Sequence, residues 1–269
     1  LIKCSDGNCF KAKKVLLASG GDSRGKKLAS ALGHQVVPSA PSIFSFNIPD
    51  FCYRTCAGIA IDDVQLSLIA GRKIFKDYGR VLITHKGLSG PAILRLSAFA
   101  ARDLFDARYN ALLEVNWVSN SNESTKDLLR TYREDFPRMT LVRTYPFKLI
   151  PKRLWLSFLS CLGISPNARW GSFSKSQERS LSNLLSKNAF SINGRGAYGE
   201  EFVTAGGVSL DEINFQSMES RIFEGLYFAG EVLDVDGVTG GFNFQHCWTS
   251  AWIAGRAIAR DLSPGTGLN

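Results

Sequence analysis

Three features of this 269-residue sequence predict an α/β fold with α+β inserts. The stretch from 225 to 258 reads strand, acidic residue, glycine turn, helix. Two segments, around 64–68 and 113–117, alternate apolar and polar residues with the period of half-buried strands. Between the second of these and residue 190 lie three amphipathic helical patterns, which read as a small helical subdomain inserted in a strand-rich one.

The opening residues read as strand, Asp6-Gly7-Asn8 turn and strand, leading to a third strand at Val15-Leu16-Leu17-Ala18. Ser19-Gly20-Gly21 closes that strand, and a helix from Lys26 to Leu32 is stopped by Gly33. Pro38, Pro41 and Pro49 mark a boundary. Beyond it Val64, Leu66 and Leu68 alternate with Gln65 and Ser67, and Leu113, Val115 and Trp117 with Glu114 and Asn116. Between these two strands Val81 to Thr84 reads as a further strand. A loop follows, carrying His85, Gly87 and Gly90, and then a helix with Pro91 in its first turn. His85 titrates near neutral pH and could serve as an acid or base; it reads more simply as a structural histidine fixing the loop.

Ser124 with Asp127 reads as a capping box ahead of Leu128 and Leu129. Pro151 starts a helix carrying Leu154, Trp155, Phe158, Leu159 and Leu162, ended by Gly163, and Ser174 with Gln177 gives a second capping box before Leu181, Leu184 and Leu185. Gly194 to Gly199 spells G-x-G-x-x-G, but Glu200 to Thr204 reads as strand. A dinucleotide fingerprint must open a helix, so this match is a decoy. The residues from 188 to 210 read as the last barrel strands returning to the first domain. Within them Thr204-Ala205-Gly206-Gly207-Val208 is either a ligand-facing turn or a β-bulge.

In the C-terminal stretch, Leu226 to Ala229 between Gly225 and Gly230 reads as a strand buried on both faces. Glu231 stands where that strand emerges, and its carboxylate can accept hydrogen bonds from sugar-type hydroxyls. Thr239-Gly240-Gly241-Phe242-Asn243 then leads into a helix with Cys247, Ala251, Ala254, Gly255 and Ile258 on one face. Ala251 and Gly255 would let that helix lie close to a sheet. Glycines allow backbone N–H groups to approach a ligand, and a helix N-terminus offers unpaired donors and about half a positive charge. Such an end suits a phosphate or a ring that becomes anionic on reduction.

Composition excludes several classes. Hydrophobic content of 45% and charged content of 21% are those of an ordinary globular chain. No apolar run is long enough to cross a bilayer, and no membrane partner is expected. The six cysteines form no Cys-x-x-Cys and no zinc spacing, so no metal site is expected, and reduced thiols point to a cytosolic or organelle-matrix setting. The net charge of +8 is concentrated from Ser121 to Phe190, where 12 Lys and Arg stand against 5 Asp and Glu. That surplus is either the solvated face of basic helices or a nucleic-acid footprint.

The run Gly225 to Gln245, GLYFAGEVLDVDGVTGGFNFQ, resembles the C-terminal flavin-binding segment of a family of bacterial-type NAD(P)/FAD-dependent oxidoreductases, also described as aminoacetone-oxidase-like. Ala18-Ser19-Gly20-Gly21 is similar to that family's Ala-Thr-Gly-Gly turn, and Thr84 to Pro91 to its Thr-His-x-Gly-x-Ser-Gly-Pro segment. Where the family has a longer Tyr/Thr/Gly-rich loop, this chain has only Asp22-Ser23-Arg24-Gly25. The resemblance implies a partial Rossmann-like FAD domain at 1–40 and 208–269, a β-barrel-like insert at 41–120 and 188–207, and a helical subdomain at 121–187.

The resemblance also implies a FAD-dependent oxidoreductase acting on a small-molecule substrate, with NAD(P)H as a possible electron donor. Ser19 and Gly20 would flank the dinucleotide, and Gly206 and Gly207 would face the ring. Glu231 would bind ribityl or ribose hydroxyls with Gly230 beside it in the cofactor site, and Thr239, Gly240, Gly241, Phe242 and Asn243 would hold the ring's pyrimidine edge. No residue declares itself a catalytic base. Two other readings stay open: an RNA-binding or RNA-modifying flavoprotein, and a non-catalytic remnant of the fold. The first residues read as the middle of a domain, and no glycine fingerprint with a helix behind it occurs. The polypeptide as written is therefore expected to bind FAD poorly.

Overall fold

The computed structural model describes residues 1–194 and 203–263, and the chain divides into two compact units, Leu1–Ser42 with Phe202–Asn269 and Ile43–Glu201. The decoy glycine motif after Gly194 and the tail beyond residue 263 lie outside the described residues.

The first unit begins with the hairpin β1 (Ile2–Lys3) and β2 (Cys9–Phe10), followed by β3 (Val15–Leu17), α1 (Ser23–Ala31) and β4 (Ala40–Ser42). Helix α1 starts three residues before the position expected from sequence. Asp22 caps it by accepting the Arg24 N–H at 2.6 Å, so the short Asp-Ser-Arg-Gly stretch is helix rather than loop.

The second unit contains β5 (Phe46–Asn47), β6 (Ala60–Ala70), β7 (Lys73–Ile83), β8 (Gly87–Ser89), α2 (Pro91–Phe99), α3 (Ala101–Asp106), β9 (Asn110–Asn116), α4 (Asn122–Asp135), α5 (Lys152–Cys161), α6 (Lys175–Ser186) and β10 (Asn188–Asn193). Its six strands form one sheet in the order β10-β9-β6-β7-β8-β5. The two ends return to each other through the Asn47 N–H and the Gly194 carbonyl at 3.3 Å, which nearly closes a barrel. The alternation read from sequence sets the faces: Val64, Leu66, Leu68, Leu113, Val115 and Trp117 are all buried.

Two sequence expectations in this unit change. Helix α4 begins at Asn122, capped by Ser121, whose hydroxyl accepts the Ser124 N–H at 3.1 Å, so Ser124 lies inside the helix. A cap needs extended backbone, and it is Ser121, at φ −63° and ψ 159°, that has it. The loop after β7 is fixed by Thr84 rather than His85. The Thr84 hydroxyl donates to the Gly87 carbonyl at 3.0 Å and accepts the Gly87 N–H at 3.1 Å, while His85 is exposed. Ser174 with Gln177 is a full capping box at the start of α6, as its spacing predicted.

The chain re-enters the first unit with β11 (Val203–Ala205), β12 (Ile213–Asn214), β13 (Glu219–Ser220), β14 (Leu226–Phe228) and α7 (Phe242–Leu262). Strand β11 pairs with β4, and the four-stranded sheet runs β12-β13-β14-β3 with β14 and β3 parallel. All three residues of β14 are buried, as its apolar run between glycines implied. Lys14, just before β3, ties this sheet to the end of α7. Its ammonium lies 2.8 Å from the Asp261 carboxylate, which also accepts the Tyr227 hydroxyl at 2.6 Å.

Helix α7 turns a different arc inward from the one its small residues suggested. Ser250 and Ala254 are buried and Cys247, Ala257 and Ile258 are partly buried, whereas Ala251 and Gly255 are exposed. A Cβ on Gly255 would meet nothing within 4 Å. The cause is Ser250, whose hydroxyl accepts the Gly230 N–H at 2.9 Å and draws its own side of the helix onto the strand end. Phe244, Trp248 and Trp252 are left on an exposed stripe.

Candidate functional site

The corner between β14 and α7 is built by glycines with distinct duties. Gly230 has φ +73°, and a Cβ there would come within 3.3 Å of the Cys247 sulfur. Its carbonyl lies 3.3 Å from His246 Nε2 and its N–H is held by Ser250. Gly230 is thus buried against α7 and serves packing. Gly237 is needed because a Cβ would approach that of Phe242 at 2.9 Å. Gly240 and Gly241, at φ +104° and +88°, take the left-handed conformation that leads into the helix. A Cβ on Gly241 would meet nothing within 4 Å, so its approach side is open.

The 21-residue helix α7 carries no side-chain cap at its N-terminus. The first intrahelical bond there is donated by Gln245 to the Gly241 carbonyl at 2.9 Å. The N–H groups of the first turn therefore have no intrahelical acceptor, and the positive end of the helix dipole lies with them. Asn243 clamps the loop instead of projecting from it: its amide oxygen accepts the Gly237 N–H at 2.8 Å and its amide nitrogen donates to the Gly237 carbonyl at 3.0 Å. Phe242 is exposed and Thr239 half-buried beside it.

Two further glycine turns reach the same end of the sheet. Ser19 and Gly20 follow β3, with Ser19 exposed and Gly20 at φ +64° facing open space. A Cβ on Gly21 would touch Thr204, and one on Gly25 would overlap the Ser19 hydroxyl, so α1 enters directly beneath this turn. Gly206, at φ +98°, gives its carbonyl to Lys26 Nζ at 2.7 Å. Gly207 is pressed onto the backbone of Val232 and Leu233, where a Cβ would stand 2.5 Å from three main-chain atoms. The Val208 N–H donates to the Val232 carbonyl at 2.9 Å and completes that seam.

The residues named from sequence thus fall on three turns around the ends of β3 and β14. Gly20 and Gly241 leave room beside them and a Cβ on Gly240 would meet the Phe242 ring at 3.9 Å, while Gly207 and Gly230 fill theirs with protein. Glu231, half-buried in the 3-10 turn Gly230–Val232, faces Cys247: burial pushes that thiol's pKa up, and the Glu231 charge adds to the shift. Lys26 was missed by sequence reasoning. It is buried in α1, with Nζ also 3.0 Å from the Ser39 hydroxyl. Its one sequence signal is the spacing that sets it on the same helical face as Ala29. No cluster of His, Cys, Asp or Glu able to hold a metal occurs among the described residues.

This arrangement suits a ligand with an anionic edge and a hydroxyl-bearing chain. An uncapped helix N-terminus lies behind Gly241, whose Cβ position is open, a carboxylate stands at the neighbouring strand end, and a second open glycine lies at Gly20. The donors suit an edge that gains negative charge, and the carboxylate suits hydroxyls.

Residues 1–257 match the family described as HI0933-like protein Rossmann domain. The chain is 29% identical over 268 residues to the 3-dehydro-bile acid delta(4,6)-reductase of Clostridium scindens, an alignment covering 95% of this chain and 64% of that one. It is 32% identical over 267 residues to the ribosomal RNA dihydrouridine synthase of Haemophilus influenzae, covering 93% and 61%. The protein of the same name from Escherichia coli is 32% identical over 261 residues, covering 93% and 60%. The chain thus spans less than two thirds of the length of each of these relatives.

Proposed function

From the premise that the chain belongs to the HI0933-like Rossmann-domain family, we propose that it is part of a FAD-dependent reductase of carbon–carbon double bonds conjugated to a carbonyl. The observation that carries this reading is the uncapped N-terminus of α7 behind Gly241, whose Cβ position is open, together with the Glu231 carboxylate in the turn that ends β14. The names of the relatives support the reaction class. A delta(4,6)-reductase removes ring double bonds of an oxo-steroid, and a dihydrouridine synthase removes the ring double bond of uridine beside its carbonyl. When bound, the flavin supplies the hydride for such a reduction and is recharged by a reduced nicotinamide.

This chain's residues bind and polarise. The first-turn N–H groups of α7 hold the ring edge and favour negative charge there. Glu231 orients the hydroxyl chain, and Ser19 and Gly20 give the dinucleotide a close backbone approach. The test is the visible flavin absorbance of the purified full-length protein, compared with Gly241→Val. A β-branched residue at φ +88° is strained and fills the open side. The variant is expected to lose bound flavin while keeping its circular dichroism; a variant as yellow as its parent refutes this site.

A second reading, that the substrate is carried on RNA, rests on the charge of the second unit. Arg138, Arg143, Lys148, Lys152, Arg169 and Lys175 are exposed, with no ion pair among the described residues, and two relatives are named for ribosomal RNA. Binding to a ribosomal RNA fragment should weaken steeply with salt. A salt-independent affinity would remove this reading.

A further inference from the structure

Helix α5 and the segment that precedes β6 run past each other in opposite directions. At one end Arg153 donates through Nη2 to the Ala57 carbonyl at 2.8 Å, and the Cys56 thiol donates to the Arg153 carbonyl at 3.6 Å. Further along, the Tyr53 and Phe158 rings meet edge to face at 5.2 Å. Cys161 stands three residues beyond Phe158 and so shares its face of the helix. The next residue outward on the facing segment is Cys52, so the packing of Tyr53 on Phe158 sets the two thiols at the same end of this seam, near enough to act on each other. Cys52 and Cys161 are both exposed, whereas Cys56 is buried. No third ligand completes a metal site among the described residues.

We propose that Cys52 and Cys161 form a reversible disulfide site that fastens α5 to the strand-rich part of its unit. The oxidant class is a hydroperoxide. One equivalent of hydrogen peroxide oxidises the Cys52 thiol to a sulfenic acid and is itself reduced to water. The Cys161 sulfur then attacks the Cys52 sulfur; the S–S bond forms, the S–O bond breaks, and the hydroxyl leaves with the Cys161 proton as a second water. Burial and then the neighbouring Cys52 thiol push the Cys161 pKa up to about 12, so the Cys161 proton passes to the departing hydroxyl as the sulfur attacks. With both sulfurs held at one end of the α5 seam, the second step is effectively intramolecular. A dithiol reductant reverses it by exchange. The bond would close the chain between 52 and 161, a long loop in the unfolded state, so the oxidised form should resist unfolding more than the reduced form.

The experiment treats the purified protein with stoichiometric hydrogen peroxide. It then counts free thiols under denaturing conditions and maps unreduced peptides by mass spectrometry. The expected result is loss of two of the six thiols, one cross-linked peptide pair joining Cys52 to Cys161, and full return with dithiothreitol. The urea midpoint should rise on oxidation in the parent and stay unchanged in Cys52→Ser and Cys161→Ser. Both substitutions fall on exposed positions, so the variants should fold. Sulfinic acid at Cys52 without a cross-link, a cross-link confined to Cys4 and Cys9, or a 52–161 bond that leaves the midpoint unmoved would each overturn the proposal.

Discussion

Substituting Gly207 by alanine should open the seam between the 206–208 turn and the Val232–Leu233 backbone. The added Cβ would stand 2.5 Å from the Leu233 carbonyl carbon and oxygen and from the Val232 oxygen. Relief to ordinary contact needs about 1 Å of movement, and overpacking of this kind costs about 1–3 kcal/mol. The movement also stretches two hydrogen bonds, Val208 N–H to the Val232 carbonyl at 2.9 Å and Asp234 N–H to the Val208 carbonyl at 3.0 Å. At about 1 kcal/mol each, these bring the expected loss to about 3–5 kcal/mol. Urea denaturation followed by circular dichroism measures it. Gly21→Ala is the matched control, because a Cβ there meets only Thr204, at 3.8 Å. It should be neutral or stabilise by less than about 1 kcal/mol. Equal midpoints for the two variants would refute the assignment of Gly207 to backbone packing.

Two other outcomes follow from the first unit. Lys26→Met should destabilise by about 1–3 kcal/mol, because the Gly206 carbonyl loses a buried charged donor; an unchanged urea midpoint would show that this bond carries no stability. Asp261 has its carboxyl pKa lowered by the Lys14 ammonium and then by the Tyr227 hydroxyl. A carboxylate with a depressed folded pKa gives stability that is present above its unfolded value, about 4, and is lost as pH falls through the folded value. Asp261→Asn should therefore flatten the stability–pH curve below about pH 4 and leave its shape at neutral pH alone; a parallel downward shift at every pH would refute the linkage.

The parts of the fold legible in sequence are those where one local rule acts without competition. The alternation at 64–68 and 113–117 fixed two strand faces because one side of that sheet is solvated. Leu226 to Ala229 read as a buried strand because glycines bound it, and Ser174 with Gln177 capped its helix as spaced. Elsewhere the outcome was set by geometry that sequence spacing does not encode. Ser124 with Asp127 has capping-box spacing, but backbone dihedrals, invisible in sequence, put the cap at Ser121. His85 read as the brace of its loop, but the shorter Thr84 side chain is the one that reaches Gly87. On α7 the arcs through Ser250 and through Gly255 share a period, and the hydrogen bond from Gly230 chose between them. For the candidate site, glycine spacing located the turns but gave no means of separating Gly241, beside open space, from Gly207, pressed against backbone. Lys26 was hidden because a lysine in a short helix is ordinarily a surface residue.

The five tryptophans divide cleanly between the two units. Trp117, Trp155 and Trp170 are within 1% of full burial in the second unit, whereas Trp248 and Trp252 are each 67% exposed along one side of α7. The protein therefore carries two optical channels that need no label. Iodide in the buffer should extinguish the red-shifted emission of the α7 pair and spare the blue-shifted emission of the other three. Shielding from iodide then reports any molecule that settles on α7, and a red shift in the protected fraction reports loosening around α4, α5 and the barrel.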